Sequence, residues 1–204
     1  MTNERARNPS ATTVESITDP ESLRDRDDVR FTEETAVLDR ETYESVRGQS
    51  EVGDGAALVG ITNDDGEVLL KDTCTGWLPP GGNVAPDGDW AAVARQQAES
   101  WTGVAVELDA VERVRRIDRR LEGADPDETP DLPFHVVYFR ASLAEGETVA
   151  GESDDGERDD GGDSSESDDS SESDDEDTSA VEWFGEIPEG VDQNHENDVE
   201  VFLD

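Results

Sequence analysis

From Ala144 to Ser179 the chain consists almost wholly of Asp, Glu, Ser and Gly, with next to nothing apolar. A stretch of this kind cannot offset its ordering entropy by burial, and it is expected to stay disordered. Apolar segments flank it, Phe134 to Arg140 before and Val181 to Phe184 after. The run therefore reads as an insertion within one domain. The full 204 residues suit one domain of ordinary size with tails better than two. Residues 1 to about 28 are polar, without a sustained apolar period, and are expected to form a mostly disordered tail. The expected organisation is a domain over 29–204, interrupted by the acidic Ser/Asp/Glu-rich insertion at 144–179.

The acidity is not confined to that insertion. Fifty-five acidic residues face 16 basic ones, for a formal net charge of −39, and Lys71 is the only lysine. Self-repulsion on this scale strains a compact state in low salt. In molar salt the Debye length falls to about 3 Å and the repulsion is screened, so the composition reads as halophilic. It also makes nucleic acid an unsuitable partner. The N-terminus lacks the long apolar stretch of a secretory signal, and no apolar run reaches the ~20 residues of a membrane span. A cytoplasmic, soluble protein is expected. Cys74 is the sole cysteine, which excludes an intrachain disulfide and a thiolate zinc site. His135 and His195 show no metal-ligand spacing, and His135, in an apolar run, reads as a core or rim residue.

Along the chain, Val29 to Leu38 reads as a strand and Arg40 to Arg47 as a short helix. Ala56 to Ile61 reads as a buried strand. The turn Asn63-Asp64-Asp65-Gly66 is expected to return Glu67 to Lys71 as the second strand of a hairpin. Trp77 to Asp89 is rich in Gly and Pro and is expected to be irregular. A helix follows to Trp101, with Asp89 as N-cap and Gly103 at its C-terminal end. Val104 to Ile117 reads as extended, Glu122 to Leu132 as a loop, Phe134 to Arg140 and Val181 to Phe184 as strands, and Val191 to Phe202 as a closing helix.

The segment Trp77-Leu78-Pro79-Pro80-Gly81-Gly82, the following helix and Thr102-Gly103-Val104 resemble the Nudix hydrolase family. That family's box reads Gly, five residues, Glu, seven residues, Arg-Glu-U-x-Glu-Glu-x-Gly-U, with U aliphatic. Gly82 aligned with the first glycine puts Gly103 on the last and Val104 on the final aliphatic, without gaps. Val181-Glu182-Trp183-Phe184 with Ile187-Pro188 resembles the segment after the family's last core strands. The resemblance implies an α+β fold, a mixed β-sheet sandwiched between helices. It also implies kinship to pyrophosphohydrolases of nucleoside diphosphates linked to a further group (NDP-X). Binding of a small phosphorylated or nucleotide-like ligand is implied near Trp77, Gly81 and Gly82.

The box glutamates are nearly all missing. The first falls on Gly88, the arginine on Gln96, the next glutamate on Gln97, and the final pair on Ser100 and Trp101. In the family, helix glutamates spaced three and four residues apart share a face and hold Mg²⁺ through hard oxygen ligands. The bound ion clamps a diphosphate and activates water. Here the box is degenerate, and lost or weak hydrolase activity with a ligand-binding or regulatory role is the expectation; Mg²⁺ would be the cofactor of an active enzyme, with no cofactor otherwise. The alternatives are an active hydrolase using carboxylates such as Glu99, Asp87, Asp89 or Glu182, and an interaction protein working through the acidic insertion. A one-residue helical bulge placing Arg95 on the arginine would restore only Glu99 as a metal ligand.

Trp90, Ala94, Ala98 and Trp101 form one helical stripe. Trp101 has two readings, core packing or a lid on the former metal pocket. Arg113, Arg115, Arg116, Arg119 and Arg120 cluster in a chain poor in positive charge. Arg113 and Arg115 are candidates for a diphosphate, since a guanidinium fork suits such anions. Salt bridging to the protein's own acids is the favoured reading of the cluster as a whole.

Overall fold

A computed structural model describes residues 14–49, 53, 55–73, 76–125, 129–144, 180–191 and 195–203. In chain order the elements are β1 (Arg30–Leu38), α1 (Arg40–Gln49), β2 (Gly55–Ile61), β3 (Val68–Thr73), β4 (Gly76–Leu78), β5 (Gly81–Val84), α2 (Trp90–Thr102), β6 (Val106–Leu121), β7 (Leu132–Leu143), β8 (Val181–Phe184) and α3 (Glu196–Glu200). A mixed five-stranded sheet has the order β1-β6-β7-β2-β5, and a smaller sheet the order β4-β3-β8. Two ladders of the large sheet are parallel, β1 with β6 and β2 with β7.

Helix α2 is set by its ends. The Asp89 carboxylate accepts hydrogen bonds from the Ala91 and Ala92 N–H groups, and Gly103 closes the helix at φ 75. Both satisfy backbone groups that the helix leaves unpaired. Trp90, Ala91, Ala94 and Ala98 are buried against Ala57, Val59, Ile61, Val114, Val137 and Phe139 of the large sheet. The alanines keep the helix axis near the strands, and Trp90 fills the space at its start. The opposite sheet face packs Val136 and Tyr138 against Val68, Leu70, Val191, Val199 and Phe202. Phe202 lies so close to Gly60 that a Cβ there would fall 2.1 Å from the ring. Any side chain at position 60 would displace the closing segment.

The structure differs from the sequence expectations at several places. Residues 14–28 are ordered: Ile17 and Leu23 are buried, and Pro20–Leu23 forms a 3-10 turn capped by Asp19. The Val14 N–H bonds the Leu108 carbonyl and the Trp90 N–H the Ile17 carbonyl, so partners remote in sequence hold this segment. Residues 1–13 of the expected tail, and 145–179 of the insertion, lie outside the described residues, as does Cys74. The β2–β3 hairpin does not form as a ladder. Asn63 does close the turn, accepting at Oδ1 from the Asp65 and Glu67 N–H groups. However, β2 is already flanked by β7 and β5, so β3 has no edge to join and enters the other sheet.

Between Trp77 and Asp89 two short strands replace the expected irregular loop. Gly81 and Gly82 are strand residues because the backbone must come close to its neighbours. A Cβ on Gly81 would lie 2.4 Å from Leu58, and one on Gly82 would lie 2.8 Å from Gln97. Of the expected closing helix, Glu196–Glu200 is helical among the described residues. Gly190, at φ 101, belongs to a turn in which the Val191 N–H bonds the Pro188 carbonyl, and residues 192–194 lie outside the described residues. Among the described residues, the second face of the large sheet is covered by this short helix and by β3, not by a full helical layer.

Candidate functional site

The box positions fall along the second half of α2, an uninterrupted α-helix. No bulge shifts Arg95 onto the arginine position; its guanidinium instead donates to the Val14 and Glu15 carbonyls. Gln97 and Trp101, four residues apart, face β5, with Gln97 against the backbone of Gly82. Gln96 and Ser100 are exposed. Gly88 sits in the turn before the helix, where a Cβ would come 2.8 Å from the Ala85 carbonyl oxygen and 3.0 Å from Val84. A glutamate at that position would require the turn to move.

Gly81, Gly82 and Trp101 border one cleft of about 300 Å³, together with Leu58, Leu78, Pro79, Asn83 and His195. None of its lining residues is Asp or Glu. Trp101 is only half-buried, and Lys71 lies over its ring with Nζ 5.2 Å from the centroid. A cation over an indole contributes about 0.5–1 kcal/mol where water is near. The buried helical stripe is completed by Thr102, whose hydroxyl donates to the Ala98 carbonyl. Trp101 thus borders the cleft and is not a core residue. Trp77 lies outside it, packed edge-on against Phe184 with ring centroids 4.8 Å apart.

The candidate substitute carboxylates do not converge on this cleft. The Asp89 carboxylate is occupied by the N–H groups of Ile17, Ala91 and Ala92. Burial opposes its ionisation, but these bonds outweigh burial and hold it below the usual carboxylate range. Asp87, at φ 60, borders a separate cleft with Trp90 and His135, at the start of α2. Glu99 is exposed, and Glu182 is exposed on β8 in the smaller sheet. Among the described residues, no three His, Cys, Asp or Glu side chains come together to hold an ion. A site for Mg²⁺ needs hard oxygen donors, above all carboxylates. The residues bordering the box cleft do not fit that ion.

The arginines of β6 are largely occupied by the chain's own acids. Arg115 pairs with Glu34 and lies 3.8 Å from Asp198. Arg116 pairs with Asp118 at 3.0 Å and Glu21 at 2.9 Å, and Arg120 holds Asp131 with two bonds of 2.9 and 2.6 Å. Arg119 lies over the Phe134 ring, 4.6 Å from its centroid. Arg113 and Arg115 do not reach the box cleft. They border a second cleft of about 710 Å³ with Arg30, Glu34, Asn197 and Glu200.

The two clefts share one face of the large sheet. Cross-strand partners run Arg30, Arg113, Tyr138, Leu58 and Gly81 from one edge to the other. In the middle of this row Tyr138 is fully buried and donates its hydroxyl to Asp198, which is 5% exposed and also bonded by His195 at 3.1 Å. Burial first, and then the Asp198 charge, push the Tyr138 hydroxyl's pKa up. The segment around α3 therefore separates the clefts and contributes to both, His195 to one and Asn197 and Glu200 to the other. Arg30 and His195 had no motif to mark them in the sequence; only strand pairing and the return of the chain at its end bring them to this face.

No family model matches the chain, and no curated protein matches it. Among solved structures it aligns with a UDP-X diphosphatase at 17% identity and a TM-score of 0.30, over 53% of this chain and 52% of that one. It also aligns with the Ap4A hydrolase of C. elegans at 18% identity and a TM-score of 0.31, over 48% of this chain and 74% of that one. The chain spans about half the length of the first. No helix among the described residues is long and apolar enough to cross a membrane.

Proposed function

We propose that this chain is a degenerate Nudix-like domain that binds a small nucleotide-like or other phosphorylated ligand without magnesium-dependent hydrolysis, in a sensing or regulatory role. The gap-free box spacing from Gly82 to Gly103, on a strand–turn–helix unit with the box helix against a mixed sheet, supports the kinship. The observation that carries the loss of chemistry is the cleft beside that helix. It is bordered by glycine, leucine, proline and Trp101, with Asn83 and His195 as its polar residues and no carboxylate. A volume of about 300 Å³ with largely apolar walls suits a flat ring or a small apolar group. The acidic surface fits a protein working in molar salt, where the repulsion of its −39 formal charge is screened.

The test is phosphorus NMR of UDP-glucose and ADP-ribose incubated with the full chain in molar KCl, with magnesium or with a chelator. Neither substrate should be turned over faster with magnesium than with the chelator. Turnover on the order of 1 s⁻¹ or faster, abolished by the chelator, would return the protein to the active hydrolases. Its catalytic carboxylates would then have to lie outside the box.

A further inference from the structure

Arg30 and Arg113 stand directly opposite each other on the parallel strands β1 and β6, and both border the 710 Å³ cleft. Adjacent strands are about 4.8 Å apart, so two guanidinium stems rise side by side from one sheet face. Like charges placed opposite each other are destabilising. In a chain with 55 acidic residues a neutralising partner would be expected for each. Neither arginine has a carboxylate within salt-bridge distance among the described residues. Arg113 reaches only the Thr32 hydroxyl, at 3.4 Å, and lies over the Tyr138 ring 5.6 Å from its centroid. Arg115, the third arginine of the cleft, is by contrast neutralised by Glu34 and Asp198. The acids bordering the cleft are Glu34, engaged by Arg115, and Glu200, which stands on α3.

We infer that Arg30 and Arg113 form a metal-free binding site for the phosphate or diphosphate group of a small metabolite. Arg115 shapes the site by fixing Glu34 and α3, and Asn197 offers an uncharged amide at its wall. Each guanidinium presents planar N–H donors suited to two oxygens of one anion. The volume leaves room for the remainder of a metabolite-sized ligand. This site is separate from the box cleft and does not depend on what that cleft binds.

The experiment labels the full-length protein with phenylglyoxal in molar KCl and maps the modified arginines by mass spectrometry, with and without pyrophosphate. Pyrophosphate should shield Arg30 and Arg113 and leave Arg40 and Arg47 open to the reagent. Calorimetric titration with pyrophosphate, without magnesium, should weaken by about tenfold or more in Arg30→Gln or Arg113→Gln, the loss of one charge-assisted interaction. Arg120→Gln, which removes the same charge from the same strand, should bind as the wild type does. Equal shielding of all exposed arginines, no shielding, or unchanged affinity in both variants would overturn the inference. Equal shielding by malonate would overturn the assignment to phosphate. If a variant fails to fold, shielding in the wild-type protein decides.

Discussion

The two faces of the central sheet are built on different terms. Under α2, Ala57, Val59, Ile61, Val137 and Phe139 meet Trp90, Ala91, Ala94 and Ala98, and the interface is carbon against carbon. On the other face Tyr138, Asp198, Arg113 and Arg115 interrupt the apolar surface, and two clefts remain open beside α3. One face supplies adhesion that depends on area alone. The other keeps its shape through a few directed polar contacts, and those contacts leave space for something else. The box helix belongs to the first face through Trp90 and Ala94, and borders the box cleft through Trp101.

Substitutions on the two faces should therefore fail differently. The largest effect is expected for Trp90→Ala, since Trp90 is 2% exposed and packs over Gly55 and edge-on to His135 at 6.4 Å. It should lose about 3–5 kcal/mol in denaturant unfolding, and a loss below about 1 kcal/mol would show that the α2 face is not the main source of stability. On the other face, Tyr138→Phe keeps the ring but leaves the buried Asp198 without its hydroxyl donor. A loss of roughly 1–3 kcal/mol is expected, read in the same unfolding assay. A neutral outcome would mean that His195 and Arg115 suffice to hold Asp198.

A smaller and pH-dependent effect marks an ionic cluster at the rim of the α2 face. Glu21 accepts hydrogen bonds from His135 at 2.8 Å, Arg24 at 2.8 Å and Arg116 at 2.9 Å. Burial works against its ionisation, but the bonds from His135, Arg24 and Arg116 prevail and bring the carboxyl from 4.5 down to about 2. A carboxyl depressed in the folded state stabilises fully above its unfolded value and ceases to do so as pH falls through the folded one. The wild-type advantage over Glu21→Gln, measured as a difference in melting temperature, should hold above pH 4.5 and fade toward pH 2. A difference independent of pH across that range would separate Glu21 from the acid response.

How much of this was legible depended on whether the deciding contacts were local. Helix α2 could be read outright, because Asp89, the alanines and Gly103 each specify their own turn of backbone. Strands β2, β7 and β8 were marked by their apolar residues, whereas β1 carries Glu33 and Glu34 at its centre. Their order was not, since it depends on edges that only the assembled sheet defines. Ile17 and Leu23 show no periodicity and are core residues only because Trp90 and Leu108 meet that segment. At the site, Gly81 and Gly82 were found from their spacing, but as loop residues, when close approach to Leu58 and Gln97 is what demands them. The arginine run on β6 was visible as charge alone. Which of its members were already neutralised became clear only once Glu34, Glu21 and Asp131 were set beside them.

The two parallel ladders also dictate an order of assembly. Arg30 lies opposite Arg113 and Gly55 opposite His135, so neither ladder can close before long stretches of intervening chain have been drawn in. Strands β6 and β7 pair antiparallel across the loop between Leu121 and Leu132, and are the one long pairing in the large sheet available to a local collapse. They form the natural nucleus, with β1 and β2 adding to its two outer edges. Contacts this distant in sequence place folding in the slow range of single domains. Until β1 and β2 arrive, the nucleus carries two bare edges ready to pair with any passing strand, and the surplus of negative charge on the unfinished chain is what keeps other copies away.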